Sequence, residues 1–183
     1  FFARPSGALI FGGIGDRLGR KGAFLVTITL MGLATLAVGF LPTYAQIGIP
    51  APILLIVLRL IQGFALGGEY GGAAVYVAEH APPKRRGEYT GWIQTSAALG
   101  LIGALGVIYV TRWVMGEAAF NDWGWRIPFL FSAFLLVISL YMRLKLGESP
   151  AFLRMKAEGS HSKAPYSETF LRWRYLKVVL LAL

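Results

Sequence analysis

The chain has 183 residues, no cysteine, two histidines and a net charge of +9; 56% of it is hydrophobic, and its mean hydropathy is +0.59. A water-soluble domain of this size buries a core without such long uncharged runs, so the composition points to a chain that crosses a lipid bilayer. Disulfide and thiolate chemistry are excluded, and His80 and His161 alone give no metal-ligand spacing, so no metal and no cofactor are expected.

The chain opens without Met inside one apolar run and stops inside another, so it reads as a piece of a longer protein. The first span ends at Ile14, and a glycine-bearing charged turn follows it. The second, 23–41, carries no charge, and about twenty residues suffice to cross the hydrocarbon. The third, 53–78, contains Arg59 and Glu69. The fourth, 89–111, is uncharged, with Trp92 and Trp113 near its ends, where amphipathic rings favour the interface. The fifth, 127–142, follows Trp123 and Trp125. Residues 147–174 are polar and read as a linker, and 178–183 begin another span. The expected divisions are 1–146 as a helical membrane unit, 147–174 as a cytoplasmic loop and 175–183 as the start of the next helix.

Most of the 18 Lys and Arg fall in alternate connections: Arg17, Arg20, Lys21, Lys84, Arg85 and Arg86, and then residues from Arg143 onward through the polar stretch. The connections 42–52 and 116–125 are nearly free of them. That asymmetry is the positive-inside pattern. It places the basic turns in the cytoplasm and explains the basic charge by the membrane, without a nucleic-acid partner.

The polar residues inside the spans are few and costly. Glu69 and Arg59 need a partner or water in hydrocarbon. Arg59, Gln62, Glu69 and Tyr76 share one face at 3.6 residues per turn, within roughly 100°, with Gly67 and Gly71 on the opposite side. Gly63, Gly67 and Gly71, and likewise Gly100, Gly103 and Gly106, have the spacing that lets helices approach closely. Burial penalises a charged carboxylate unless a cation faces it, which makes Glu69 the candidate proton carrier. Arg4, twelve residues before Asp16 and roughly 18 Å up the helix, lies at mid-membrane depth beside Pro5. Its fork suits a substrate carboxylate; the alternatives are a counter-ion for Glu69 or a structural pair. Arg126 is a further binding or coupling candidate. Nucleophile, base and acid do not group, so an enzyme is not expected.

Gly12, Asp16, Arg17, Gly19, Arg20 and Lys21 form the pattern G-x-x-x-D-R-x-G-R-K. Glu79 and Arg86, around Pro82, and Glu148, before Pro150, fall in the same layer. Together they read as a charged cytoplasmic lock that holds one state and breaks in another; a fixed staple is the alternative.

This turn resembles the loop after the second helix of the major facilitator superfamily. Several further pieces are similar to its metabolite:proton symporters, the carriers of shikimate, citrate, 2-oxoglutarate and proline or betaine. They are Arg4–Pro5–x–Gly7, Arg59–x–x–Gln62–Gly63, Gly67–Gly68–Glu69–x–Gly71–Gly72, Glu79–x–x–Pro82–x–x–x–Arg86–Gly87, Trp125–Arg126–x–Pro128 and Glu148–Ser149–Pro150–x–Phe152. The resemblance implies an all-α bundle, helices two to the start of seven, in a bacterial inner membrane. It implies proton-coupled symport of a small organic acid or zwitterion by alternating access, with metabolite, protons and bilayer as partners and a monomeric state. Glu79, Trp125–Arg126 and Glu148 are also similar to sugar porters, so a sugar-type facilitator or exporter is an alternative, as is a membrane sensor that does not transport. The Gly–Pro pair of drug antiporters is absent from the span 89–111.

Overall fold

The computed structural model describes residues 3–147 (backbone alone at 17, 18 and 20) together with Leu153, Arg154, Ala157 and Lys177. Its elements are α1 (Ala3–Leu18), α2 (Arg20–Gly39), α3 (Tyr44–Ile47), α4 (Pro50–His80), α5 (Arg86–Met115), α6 (Glu117–Ala119), a π-helical turn (Phe120–Gly124) and α7 (Arg126–Lys145). Prolines sit where they do no harm. Pro5, Pro50, Pro52 and Pro128 occupy first turns, where an amide hydrogen has no intrahelical acceptor. Pro82 forces Ala81 into an extended conformation and ends α4. Among the described residues four helices, Lys21–Gly39, Pro50–His80, Arg86–Met115 and Arg126–Lys145, are long and apolar enough to cross a membrane. At 31 residues, α4 is about 46 Å long, well beyond the roughly 30 Å of hydrocarbon.

The first span does not stop at Ile14. α1 runs on to Leu18 and α2 starts at Arg20, so the expected turn shrinks to Gly19. Gly19 has φ 101°, a conformation that a side chain resists, and its amide donates to the Gly15 carbonyl at 3.1 Å. Asp16 and Arg17 therefore ride the last turn of α1, and Arg20 and Lys21 the first turn of α2. Hydropathy marks where apolar sequence ends, and a helix can continue into water on polar residues. The two sparse connections are also built rather than open. The 42–52 stretch holds α3, closed by a Thr43–Gln46 capping box in which the Thr43 amide donates to Gln46 Oε1 at 2.9 Å. The 116–125 stretch turns at Gly116, φ 79°, pairs Arg112 with Glu117, and closes its π turn from the Trp125 amide to the Phe120 carbonyl at 3.0 Å.

α4 is the central element: α1, α2 and, more lightly, α5 pack on it, and α2 also packs on α7. Glycine sets the first of these contacts. A Cβ at Gly7 would stand 1.9 Å from the Phe64 carbonyl oxygen, and one at Gly67 2.0 Å from that of Arg4. The backbones of α1 and α4 thus touch directly. Gly68 receives Phe11, Gly72 receives the Phe24 ring and Gly32 receives Leu136. The expected packing fails at Gly71, Gly100, Gly103 and Gly106, where a Cβ would meet nothing within 4 Å among the described residues. Small-residue spacing shows which helix faces can approach a neighbour, and it carries no information about where that neighbour is.

The linker 147–174 and the final span fall almost wholly outside the described residues, as do Glu148, Ser149, Pro150 and Phe152 of the proposed lock.

Candidate functional site

The polar face of α4 looks into the seam that α4 makes with α2 and α7. Near its middle, Arg59 Nη1 donates to Gln62 Oε1 at 3.0 Å. Gln62 Nε2 donates to Thr35 Oγ1 on α2 at 2.9 Å, and the Thr35 hydroxyl donates to the Met31 carbonyl at 2.8 Å. The direction of this chain is fixed by chemistry. Arg59 can only donate, so Gln62 must turn its oxygen to Arg59 and its nitrogen to Thr35. Gln62, 9% exposed, thereby joins α4 to α2.

Two turns further along α4, Arg143 Nη2 of α7 donates to Glu69 Oε1. Both side chains are 19% exposed, and the Arg143 guanidinium also lies 4.7 Å from the centre of the Phe24 ring, where the ring face attracts a cation. The counter-ion of Glu69 is thus Arg143 and not Arg4. A further two turns along, the Tyr76 hydroxyl donates to the Gly147 carbonyl at 3.3 Å, and Lys21 Nζ of α2 donates to the Leu144 carbonyl at 2.7 Å. Leu144 lies in the last turn of α7, whose final oxygens have no intrahelical donor and carry the negative end of the dipole, and Gly147 lies just past that end. Tyr76 is held between Phe24 at 5.8 Å and His80 at 4.2 Å.

A crevice of about 290 Å³ opens beside Glu69, lined by Met31, Gly32 and Thr35 of α2 and by Ser132, Leu136 and Ser139 of α7. On the other side of the ion pair, Lys21, Phe24, Tyr76, Arg143, Leu146 and Gly147 close together and leave no water-sized space.

The other candidates lie apart from this column. Arg4 is on the exposed side of α1, its carbonyl pressed against Gly67, and it is not without a partner. Arg126 is at the far end of the bundle, where Nη2 donates to the Leu41 carbonyl at 3.1 Å and the guanidinium covers the Trp125 ring at 4.4 Å; it ties the start of α7 to the chain just past α2. Gly12 and Asp16 line a groove of about 190 Å³ between α1, α2 and α4, with Gly71 and Phe24 on its other walls. Neither Asp16 nor Glu79 is a free charge. Arg86 is exposed at the start of α5; its neighbour Arg85 makes the bidentate pair with Glu88 at 2.7 and 2.6 Å.

The sequence reading missed Arg143, Thr35, Ser132 and Ser139. Arg143 ends an apolar run and so was grouped with the basic linker. Its spacing held a signal: Ser132, Ser139 and Arg143 stand seven and four residues apart, one face of a helix, matching the seven-residue steps of Gln62, Glu69 and Tyr76.

These helices and this buried polar seam define a multi-pass membrane protein with the architecture of the major facilitator superfamily. It superposes on the proton:xylose symporter XylE bound to 6-bromo-6-deoxy-D-glucose with a TM-score of 0.74 at 20% identity, over 87% of this chain and 35% of that one. The sugar (and other) transporter family matches residues 1–172, and the chain belongs to that family. It is 44% identical to the inner membrane metabolite transport protein YhjE of Escherichia coli (strain K12), over 90% of this chain and 38% of that protein. It is 44% identical to the proline/betaine transporter of the same organism, over 83% and 30%, and 41% identical to its shikimate transporter, over 100% and 43%. The chain therefore spans less than half the length of these relatives.

Proposed function

We propose that the protein works as a proton-coupled symporter of a small organic acid or zwitterion, moving it across a bacterial inner membrane by alternating access, with the Gly19 end of the bundle in the cytoplasm. The observation that carries this reading is the part-buried Glu69–Arg143 ion pair that bridges α4 and α7. An ionisable pair inside a span is costly to keep and marks an ion or proton path more often than a packing device. The relatives named for proline, betaine and shikimate support the substrate class, since each of those solutes carries a carboxylate. Arg4 is assigned to that carboxylate in the full-length protein, and Asp16, Arg17, Arg20, Lys21, Glu79, Arg86 and Glu148 to the cytoplasmic lock.

The test is Glu69→Gln in the full-length protein, reconstituted in vesicles and assayed with labelled proline, betaine and shikimate. Gln has the size and neutral charge of the protonated carboxyl but cannot release a proton. Accumulation driven by a proton gradient is expected to be abolished, while counterflow of bound substrate persists. Accumulation that survives in Glu69→Gln moves the coupling group elsewhere, and loss of both activities makes Glu69 a structural or substrate-binding residue.

A further inference from the structure

We infer that Arg143 and Glu69 form a proton-sensitive latch: their ion pair clamps the cytoplasmic end of α7 onto α4, and a proton taken up by Glu69 releases Arg143. This deepens the symport reading and rests on it for the role of Glu69.

The two faces of the pair differ, and that difference gives the latch a direction. Glu69 opens on the crevice with Thr35, Ser132 and Ser139. Its α7 lining spans seven residues from Ser132 to Ser139, about 10 Å of helix, toward the outer end of the bundle. About 290 Å³ accommodates several waters at roughly 30 Å³ each. On the cytoplasmic side no water fits between Arg143, Phe24, Tyr76, Lys21 and Gly147. Arg143 is thus the plug between a wettable crevice and the cytoplasm, and its own carboxylate partner is the group that the crevice exposes.

The charges on every packed helix confirm how few can answer a proton at Glu69. α4 itself offers Arg59, which is spent on Gln62, Tyr76, which is spent on Gly147, and, at its end, Glu79 and His80, the latter stacked on Tyr76 at 4.2 Å; the Glu69→Gln arm of the test separates His80 from Glu69. α1 brings Arg4 and Asp16, α2 brings Lys21, α5 brings Glu88 and Arg112 near its ends, and α7 brings Arg126 and Lys145. Lys21 is bonded to Leu144, Arg112 to Glu117, Arg126 to Leu41 and Glu88 to Arg85. Among the described residues, Arg143 alone is seen on the Glu69 carboxylate. In the step, the proton bonds to a Glu69 oxygen, the ion pair breaks and Arg143 keeps its charge. A guanidinium left without its carboxylate is unfavourable in a dry seam. Arg143 is two residues from the end of α7, so its long side chain can swing to the aqueous boundary. Ser139 lies one turn above Arg143 on the same face of α7 and is uncovered when Arg143 leaves.

A single cysteine in place of Ser139, in a cysteine-free full-length protein, reads this directly. Its rate of labelling by a water-soluble maleimide from the cytoplasmic side is divided by that of a reference cysteine at exposed Lys84, which cancels the thiol's own titration. In the parent the ratio is expected to rise as pH falls. In Glu69→Gln it is expected to be high and flat with pH, roughly tenfold above the parent at neutral pH. The double variant Glu69→Gln/Arg143→Gln, which leaves no buried charge to disturb folding, should behave alike, whereas Arg143→Lys should retain the pH dependence. A ratio that is flat in the parent, or equally low in Glu69→Gln and the double variant, overturns the latch. Labelling requires no transport: a latch that responds in a protein whose uptake ignores the proton gradient overturns the symport reading and leaves the latch standing.

Discussion

A methyl group at Gly67 would stand 2.0 Å from the Arg4 carbonyl oxygen and 2.9 Å from the Ala8 amide, whereas one at Gly71, a turn away, meets nothing within 4 Å among the described residues. Backbone cannot yield as a side-chain tip can, so Gly67→Ala must push α1 off α4. Overpacking of this kind costs about 1–3 kcal/mol. Gly67→Ala is expected to lower the melting temperature of the detergent-solubilised full-length protein and its yield, with Gly71→Ala close to the parent in both; equal behaviour of the two would show that α1 is not held by this contact. Gln62 is the second residue whose chemistry is determined by its neighbours. In Gln62→Glu the new carboxylate accepts from Arg59 and also from Thr35, which must then withdraw its hydroxyl from Met31. In Gln62→Leu the Arg59 guanidinium loses the one acceptor it has among the described residues. Arg59 is exposed, and its loss is small in water; the larger cost falls on the Thr35 side, where Leu removes the buried link that Gln62 makes between α4 and α2. Thermal melts should therefore rank Gln62→Leu as clearly less stable than Gln62→Glu.

Among the elements, the joint between α1 and α2 is a single residue. Gly19 holds φ 101°, and any side chain there is strained by about 1–3 kcal/mol. Gly19→Ala is expected to disturb the register of Lys21 on the Leu144 carbonyl, so both Gly19→Ala and Lys21→Gln should speed trypsin cleavage of the connection after α7; unchanged cleavage in both would separate Gly19 from the end of α7. Asp16→Asn keeps the size of the side chain and removes its charge, and is expected to slow transport several-fold at normal expression. Transport at the parent rate would make the turn a staple. The long helices were legible because their apolar runs approach the thickness of a bilayer, and the polar face of α4 because Gln62, Glu69 and Tyr76 repeat at helical spacing. What α4 faces was not legible. Periodicity places a residue on a face, and only tertiary packing decides which helix lies opposite, which is why Arg143 was missed and Arg4 weighed in its stead. The glycines of α5 show the same limit: their spacing is suited to close packing, yet no described neighbour fills it.

Over the whole molecule, apolar side chains face outward in numbers that water would not tolerate. Trp113 is 78% exposed, Tyr109 71% and Val114 69%, all in the last third of α5 toward its Gly116 end. Aromatic rings of this kind settle at the boundary between hydrocarbon and water. The α5 terminus that carries Trp113 and the α4 terminus that carries Pro50 therefore belong to one interface, and the Lys84–Arg86 connection to the opposite one. Charge supplies the sign. Lys84, Arg85 and Arg86 join α4 to α5, Arg20 and Lys21 start α2, and Arg143 and Lys145 end α7, all on one side, whereas α3 and its flanks carry no Lys or Arg. Basic connections stay on the cytoplasmic side during insertion. Single cysteines at Lys84 and at Gln46, both exposed, test that sign in intact cells with a membrane-impermeant maleimide. Gln46→Cys is expected to label in intact cells and Lys84→Cys only after permeabilisation. The reverse pattern would invert the bundle and with it the cytoplasmic assignment of the Arg143 latch, while labelling of both from outside would place α4 wholly on one side of the membrane, against its 31-residue apolar length.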